Sequence, residues 1–150
     1  MSASAGPNEP GQPPGEADRR IAALGGSLEG TLIRRLGIEI LEAGPDRVVA
    51  RMPVAGNVQP FGLLHGGATA ALCETVGSVG ASLAAAPDRT AVGIELNVNH
   101  LRAVTEGSVI ATGTVLRAGR SIAVWDVRVH DDGGGLVAAG RLTLAFRESR

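Results

Sequence analysis

Aromatic side chains are scarce: Phe61, Trp125 and Phe146 are the whole set in 150 residues, and tyrosine is absent. Three rings are too few to build stacking platforms for nucleic-acid bases. Net charge is equally thin, with 14 basic against 15 acidic residues and a formal total of -1, so no long-range field draws in a phosphate backbone. Nucleic acid is therefore set aside as a partner. The single cysteine, Cys73, excludes an internal disulfide and fits a reducing compartment. Lying mid-tract beside Glu74, it reads as a small core filler rather than a nucleophile. Three scattered histidines, His65, His100 and His130, lack the close spacing of a zinc site. No Ser-His-Asp signature or Walker loop occurs, and no metal or other cofactor is expected.

No basic segment followed by an apolar run opens the chain, as a secretory signal requires, so the expected location is the cytoplasm. Gly66 to Ala86 has about the length of a membrane span. It is built from Ala, Gly, Ser and Thr around a central carboxylate, which argues for a buried helix and against a membrane partner. With 44% hydrophobic and 19% charged residues, one globular domain is expected over residues 25–150. Residues 1–24, rich in Pro, Gly, Ser and acidic groups, read as a disordered tail.

After the tail, Ser27 is placed to cap a short helix carrying Leu28, Leu32, Ile33 and Leu36 and ended by Gly37. Residues 37–41 and 47–52 then read as a hairpin about the turn Ala43-Gly44-Pro45-Asp46. A loop over 53–64 leads into the Ala-rich tract, which is too long for a strand and ends at Pro87-Asp88. Four β-rich runs follow, at 90–100, 108–116, 121–130 and 136–146, the last after Asp131-Asp132-Gly133-Gly134-Gly135. An antiparallel sheet wrapped around one central helix satisfies this order. A helix that is apolar on every side needs cover beyond a single sheet, which points to a second subunit or layer.

Within the tract, Glu74 is alone. Between Arg51 and Asp88 no other side chain carries a formal charge apart from His65 when protonated. A carboxylate in such company needs a partner, a proton or a task. Ser78, four residues on, shares its helix face and can satisfy it structurally. The same low-polarity setting strips water from an anion that attacks a carbonyl or takes a proton from water. Gly66, at the expected helix start, offers an unpaired backbone N–H at the positive end of the helix dipole and lets a substrate approach closely. Gln59 can donate an amide N–H to the same carbonyl, and His65 can contact substrate or fix the loop. His100 marks a strand end beside a cleft or an ordinary surface.

Gly66 and Glu74 lie eight residues apart, about 12 Å along one helix. One carbonyl cannot sit within about 3 Å of both groups. They are expected to come from different chains, with Gly66 and Gln59 of one subunit facing Glu74 and Ser78 of the other in two equivalent sites.

The run Asn57-Val58-Gln59-Pro60-Phe61-Gly62-Leu63-Leu64-His65-Gly66-Gly67, followed by Glu74, Ser78 and Asn97-Val98-Asn99-His100-Leu101-Arg102, resembles the hotdog-fold acyl-CoA thioesterases. The nearest branch contains the 4-hydroxybenzoyl-CoA, 1,4-dihydroxy-2-naphthoyl-CoA and phenylacetate-pathway (PaaI-like) enzymes. The resemblance spans roughly residues 25 to 147. It implies an α+β hotdog fold, a six-stranded antiparallel sheet around a long central helix, with two subunits joined edge to edge into one sheet. It also implies hydrolysis of an acyl-CoA, with an aromatic acyl group among the candidates and with Glu74 attacking directly or activating water. Phe61, Gly67, His100, Arg102, Arg120 and Ser121 become candidates for contacts with the substrate, the last three for coenzyme A phosphates; Arg128 is weaker. A non-catalytic acyl-CoA or acyl-carrier binding module is the alternative, and a dehydratase on the same fold a lesser one. The acyl group, and dimer against tetramer, stay open.

Overall fold

Alternating apolar and polar residues make the strands two-faced, and the register of the sheet follows from them. In Arg47–Pro53 the side chains of Val48, Ala50 and Met52 are fully buried while Arg47 is exposed. The computed structural model describes residues 15–23 and 27–148. Their element order is α1 (Glu16–Ala23), α2 (Leu32–Arg35), β1 (Glu39–Ala43), β2 (Arg47–Pro53), α3 (Gly66–Ala84), β3 (Arg89–His100), β4 (Ser108–Ala118), β5 (Ile122–Asp131) and β6 (Leu136–Glu148). The six strands form one antiparallel sheet in the order β1-β2-β4-β5-β6-β3. The sheet curls around α3, as the hotdog resemblance implies, and β1 and β3 are its free edges.

Two expectations shift at the start of the chain. Within residues 1–24, read as a disordered tail, the described part holds α1, whose Ile21 is buried against β1 and whose Arg20 donates to the Ala43 carbonyl oxygen at 2.6 Å. Residues 1–14 and 24–26 lie outside the described residues. The helix expected from Ser27 shrinks to the single turn of α2, because Gly30 adopts φ +75 and Thr31 takes the N-cap position. Ser27 Oγ instead accepts from Glu29 N–H at 3.2 Å, a local turn. Gly37 does end the helix, at φ +66.

Helix α3 buries Ala68, Thr69, Leu72, Cys73, Val76, Gly77, Val79, Gly80 and Ala81 against the sheet. Gly77 and Gly80, unfavourable for a helix on propensity, are explained by this contact. A methyl on Gly80 would run into the ring of fully buried Trp125, and one on Gly77 would come within 2.6 Å of Leu142 Cδ2. The opposite side of α3 stays half-open: Ala70, Ala71, Glu74, Thr75 and Ser78 are all intermediate in exposure. Among the described residues no helix is long and apolar enough to cross a membrane.

Gly80→Ala pits a helix gain of about 1 kcal/mol against overpacking that typically costs 1–3 kcal/mol. Trp125 is rigid and fully enclosed, so the loss should prevail. We expect a net destabilisation of up to about 2 kcal/mol in urea unfolding; a raised midpoint would contradict this packing.

Candidate active site

The loop before α3 is tied down by a buried amide. Asn57, 7% exposed, donates through Nδ2 to the carbonyl oxygens of Leu36 (2.8 Å) and Pro53 (2.9 Å), while its own carbonyl accepts from His65 N–H at 2.8 Å. The loop tip is a tight turn. Gln59 N–H donates to Leu63 O at 2.8 Å, Gln59 O accepts from Gly62 N–H at 2.9 Å, and Gly62 stands at φ +80. Gln59 Oε1 accepts from Phe61 N–H. That bond leaves the Gln59 amide N–H groups as its outward donors. Phe61, expected as a substrate contact, is 88% exposed at the tip.

His65 is the N-cap of α3. Its backbone is extended (φ -70, ψ 128), its Nδ1 accepts from Gly67 N–H at 2.8 Å, and its carbonyl accepts from Ala68 and Thr69 N–H. Of its two expected roles, this geometry is the loop-fixing one, with the ring proton on Nε2. Gly66 N–H carries no protein partner among the described residues. Gly66 borders a cavity of about 400 Å³ lined also by Gln59, Leu64, Thr69, His100 and Arg102. The His100 ring lies directly on Gly66: a Cβ there would stand 2.9 Å from His100 Nε2. The structure thus gathers Gln59, Gly66, His100 and Arg102, whereas Gly67 and His65 face a separate, more apolar cavity of about 350 Å³ against Leu32, Leu36 and Val58.

Glu74 is not in either lining. It is half-buried further along α3, where Ser78 Oγ donates to its Oε1 at 3.2 Å and its carboxylate rests on Gly93 of β3. Its charge is felt inside the core. Burial, and then the Glu74 charge, push the Cys73 thiol up from 9.0 to about 12, so the thiol is a neutral core group, as read.

The candidate phosphate ligands are split. Arg102 follows β3 and pairs with Asp131 at 3.2 Å, a pair open to solvent on the arginine side and of small energetic value, with its guanidinium set against Gly135 in the β5–β6 turn. Arg120 and Ser121 lie in the β4–β5 turn at the far end of the sheet, where carbonyl oxygens of Arg120 and Ser121 accept from the Arg89 side chain and Phe146 N–H. Arg128 is held bidentate by Asp126 at 2.8 and 2.9 Å. Buried Asn57 and Thr69 have no individual signal in the sequence beyond the place of Asn57 in the loop motif.

A family model described as "Thioesterase superfamily" matches residues 61–138. The chain belongs to that superfamily. It is 39% identical over 127 residues to the 1,4-dihydroxy-2-naphthoyl-CoA hydrolase of Escherichia coli K12, covering 84% of this chain and 93% of the relative. To the proofreading thioesterase EntH of Cronobacter turicensis it is 40% identical over 126 residues, 83% and 92% of the two chains. The crystal structure of a thioesterase from Haemophilus influenzae superposes with a TM-score of 0.77 at 41% identity over 80% of this chain and 85% of that one. The hotdog architecture and the thioester-hydrolase chemistry inferred from the Gln59 to Ser78 constellation therefore both stand.

The chain has no lysine and no tyrosine, so Cys73 is the one side chain with an alkaline titration below arginine's range. Its raised folded pKa gives stability that is present below pH 9.0 and lost as pH rises toward about 12. Chemical-denaturation curves taken across that window should show the decline, and Cys73→Ala should flatten it. A thiol-exchange reagent at pH 8 should react only after unfolding. Rapid labelling of the native protein would contradict the burial.

Proposed function

We propose that the protein hydrolyses an acyl-CoA thioester to free acid and coenzyme A, in a site completed by two copies of the chain. The observation that carries this reading is the separation of donor from acid: unpartnered Gly66 N–H opens into the Gln59–His100 cavity, while Glu74 sits two helical turns on, over Gly93. Gly66 N–H and the Gln59 amide stabilise the negative charge that develops on the thioester oxygen. Glu74 either takes a proton from the attacking water or attacks the carbonyl carbon itself, giving an anhydride that water then cleaves. In both routes the C–S bond breaks and coenzyme A leaves as a thiolate that is then protonated.

The free edge of β3 supports the two-copy reading, with Val92 and Ile94 exposed along it. Antiparallel pairing of β3 with its copy, about an axis midway between Gly93 and His100, sets Gly93 of each chain beside His100 of the other. Glu74 on Gly93 then faces Gly66 beneath His100. The same pairing carries the Arg120 turn of one copy toward Arg102 of the other, so the two ends of the sheet converge on one nucleotide. The 39% identity to a 1,4-dihydroxy-2-naphthoyl-CoA hydrolase favours an aromatic acyl group. Cytoplasmic action is part of the same reading.

Thiol release from benzoyl-CoA and from a medium-chain acyl-CoA should fall at least 100-fold in Glu74→Ala; equal turnover would defeat the acid's role, and binding without turnover by the wild type would favour a carrier module. Gly66→Pro removes the donor with a backbone suited to the first helical position, and its Cβ also presses on the His100 ring. Random pairing of equal amounts of the Glu74→Ala and Gly66→Pro proteins should restore roughly a quarter of wild-type turnover. Mixed dimers that form, as read by native mass spectrometry, and remain silent would sink the shared site.

A further inference from the structure

On β3, the three atoms nearest to where a Cβ of Gly93 would stand all belong to the Glu74 carboxylate: Oε1 is inside contact distance, Cδ at 3.1 Å and Oε2 at 3.3 Å. Nothing in the backbone requires glycine here, because Gly93 is not among the residues with positive φ. Glycine in a strand is otherwise a weakness. The ladder is interrupted at the same point: Gly93 pairs with Leu144 and Glu95 with Thr143, leaving Ile94 as an extra, outward residue 55% exposed. A bulge of this kind re-aims the strand locally. Gly93 shares the face of its ladder partner Leu144, which is fully buried, but is itself exposed at the free edge of the sheet.

Resting on the reading of Glu74 above, we propose that Gly93 is a positioning residue for catalysis. Its missing side chain is the seat of the Glu74 carboxylate, which is clamped between the β3 backbone and Ser78 Oγ and so held toward the sheet edge where the thioester arrives. The carboxylate has two restraints, one covalently distant hydroxyl and one surface that only a bare Cα provides. A methyl at position 93 takes the second away and forces the carboxylate outward. Misplacement of a reacting group by about 1 Å can cost on the order of 100-fold in rate.

Gly93→Ala is the test. Turnover of benzoyl-CoA should drop on the order of 100-fold in kcat with KM changed by less than about threefold, since the change removes no side chain that holds substrate. The protein should elute as the wild type does. Its melting temperature is the second readout. With the carboxylate gone, in Glu74→Ala, adding Gly93→Ala should raise it, as expected for removing a strand glycine; in the wild type the same change should raise it less or lower it. Glu74→Asp, one methylene shorter, should recover part of the kcat lost in Gly93→Ala, so that the two losses combine to less than their product.

A kcat within twofold of wild type, or losses that simply multiply, would overturn the proposal. So would equal melting shifts in the two backgrounds, or failure of Gly93→Ala to fold in both of them. Folding only in the Glu74→Ala background would support it. If Glu74→Ala itself keeps full activity, the functional reading fails and the Gly93 proposal falls with it, a result distinct from an inactive Glu74→Ala beside an unaffected Gly93→Ala.

Discussion

Helix α3 and its sheet each bring bare backbone up against the other's side chains, and that close approach governs what the rest of the molecule can do. Glycines on both partners make it possible: Gly77 under Leu142, Gly80 under Trp125, and Gly113 of β4 beneath Val76. Each removes a Cβ where two layers would otherwise be held apart. The sheet then has to bend around the helix. Its two edges diverge to opposite flanks, and the half-open side of α3, with Glu74 and Ser78, is left at the β3 margin. An acid that would be ruinously placed in the core is thereby put where one face is dry and the other opens at the sheet margin.

The packing carries one visible expense. Trp125 is fully enclosed, yet among the described residues its indole N–H has no protein partner. Such a group costs about 1–3 kcal/mol. A large ring in close contact with α3 recovers more than that through burial, which explains why a tryptophan is tolerated there without a hydrogen bond.

Most of the architecture was legible in the sequence because its signals are local. Strand periodicity placed β2, β4, β5 and β6 within a few residues of where they lie, and the Pro87-Asp88 stop ended α3 close to Ala84. The site was legible in its parts: an isolated carboxylate, a Gly-Gly helix start, a glutamine at a fixed distance. What could not be read was which side chain meets which across the sheet. The Gly66–His100 contact joins residues 34 apart and the Glu74–Gly93 contact residues 19 apart, and neither leaves a periodic trace. The N-terminal segment misled for the opposite reason. Apolar spacing from Leu28 to Leu36 favours a helix, but Gly30 at φ +75 vetoes it, and α1 forms within a stretch whose composition favours disorder because β1 offers it a surface.

Because Gly66 and Glu74 ride on one rod, α3 works as a ruler. One inserted residue would swing everything beyond it by about 100° and advance it by about 1.5 Å, turning Glu74 away from the β3 margin. A change of length costs little in a connection such as the β5–β6 turn, whereas one within the interval from Gly66 to Glu74 would displace the second residue in a single step.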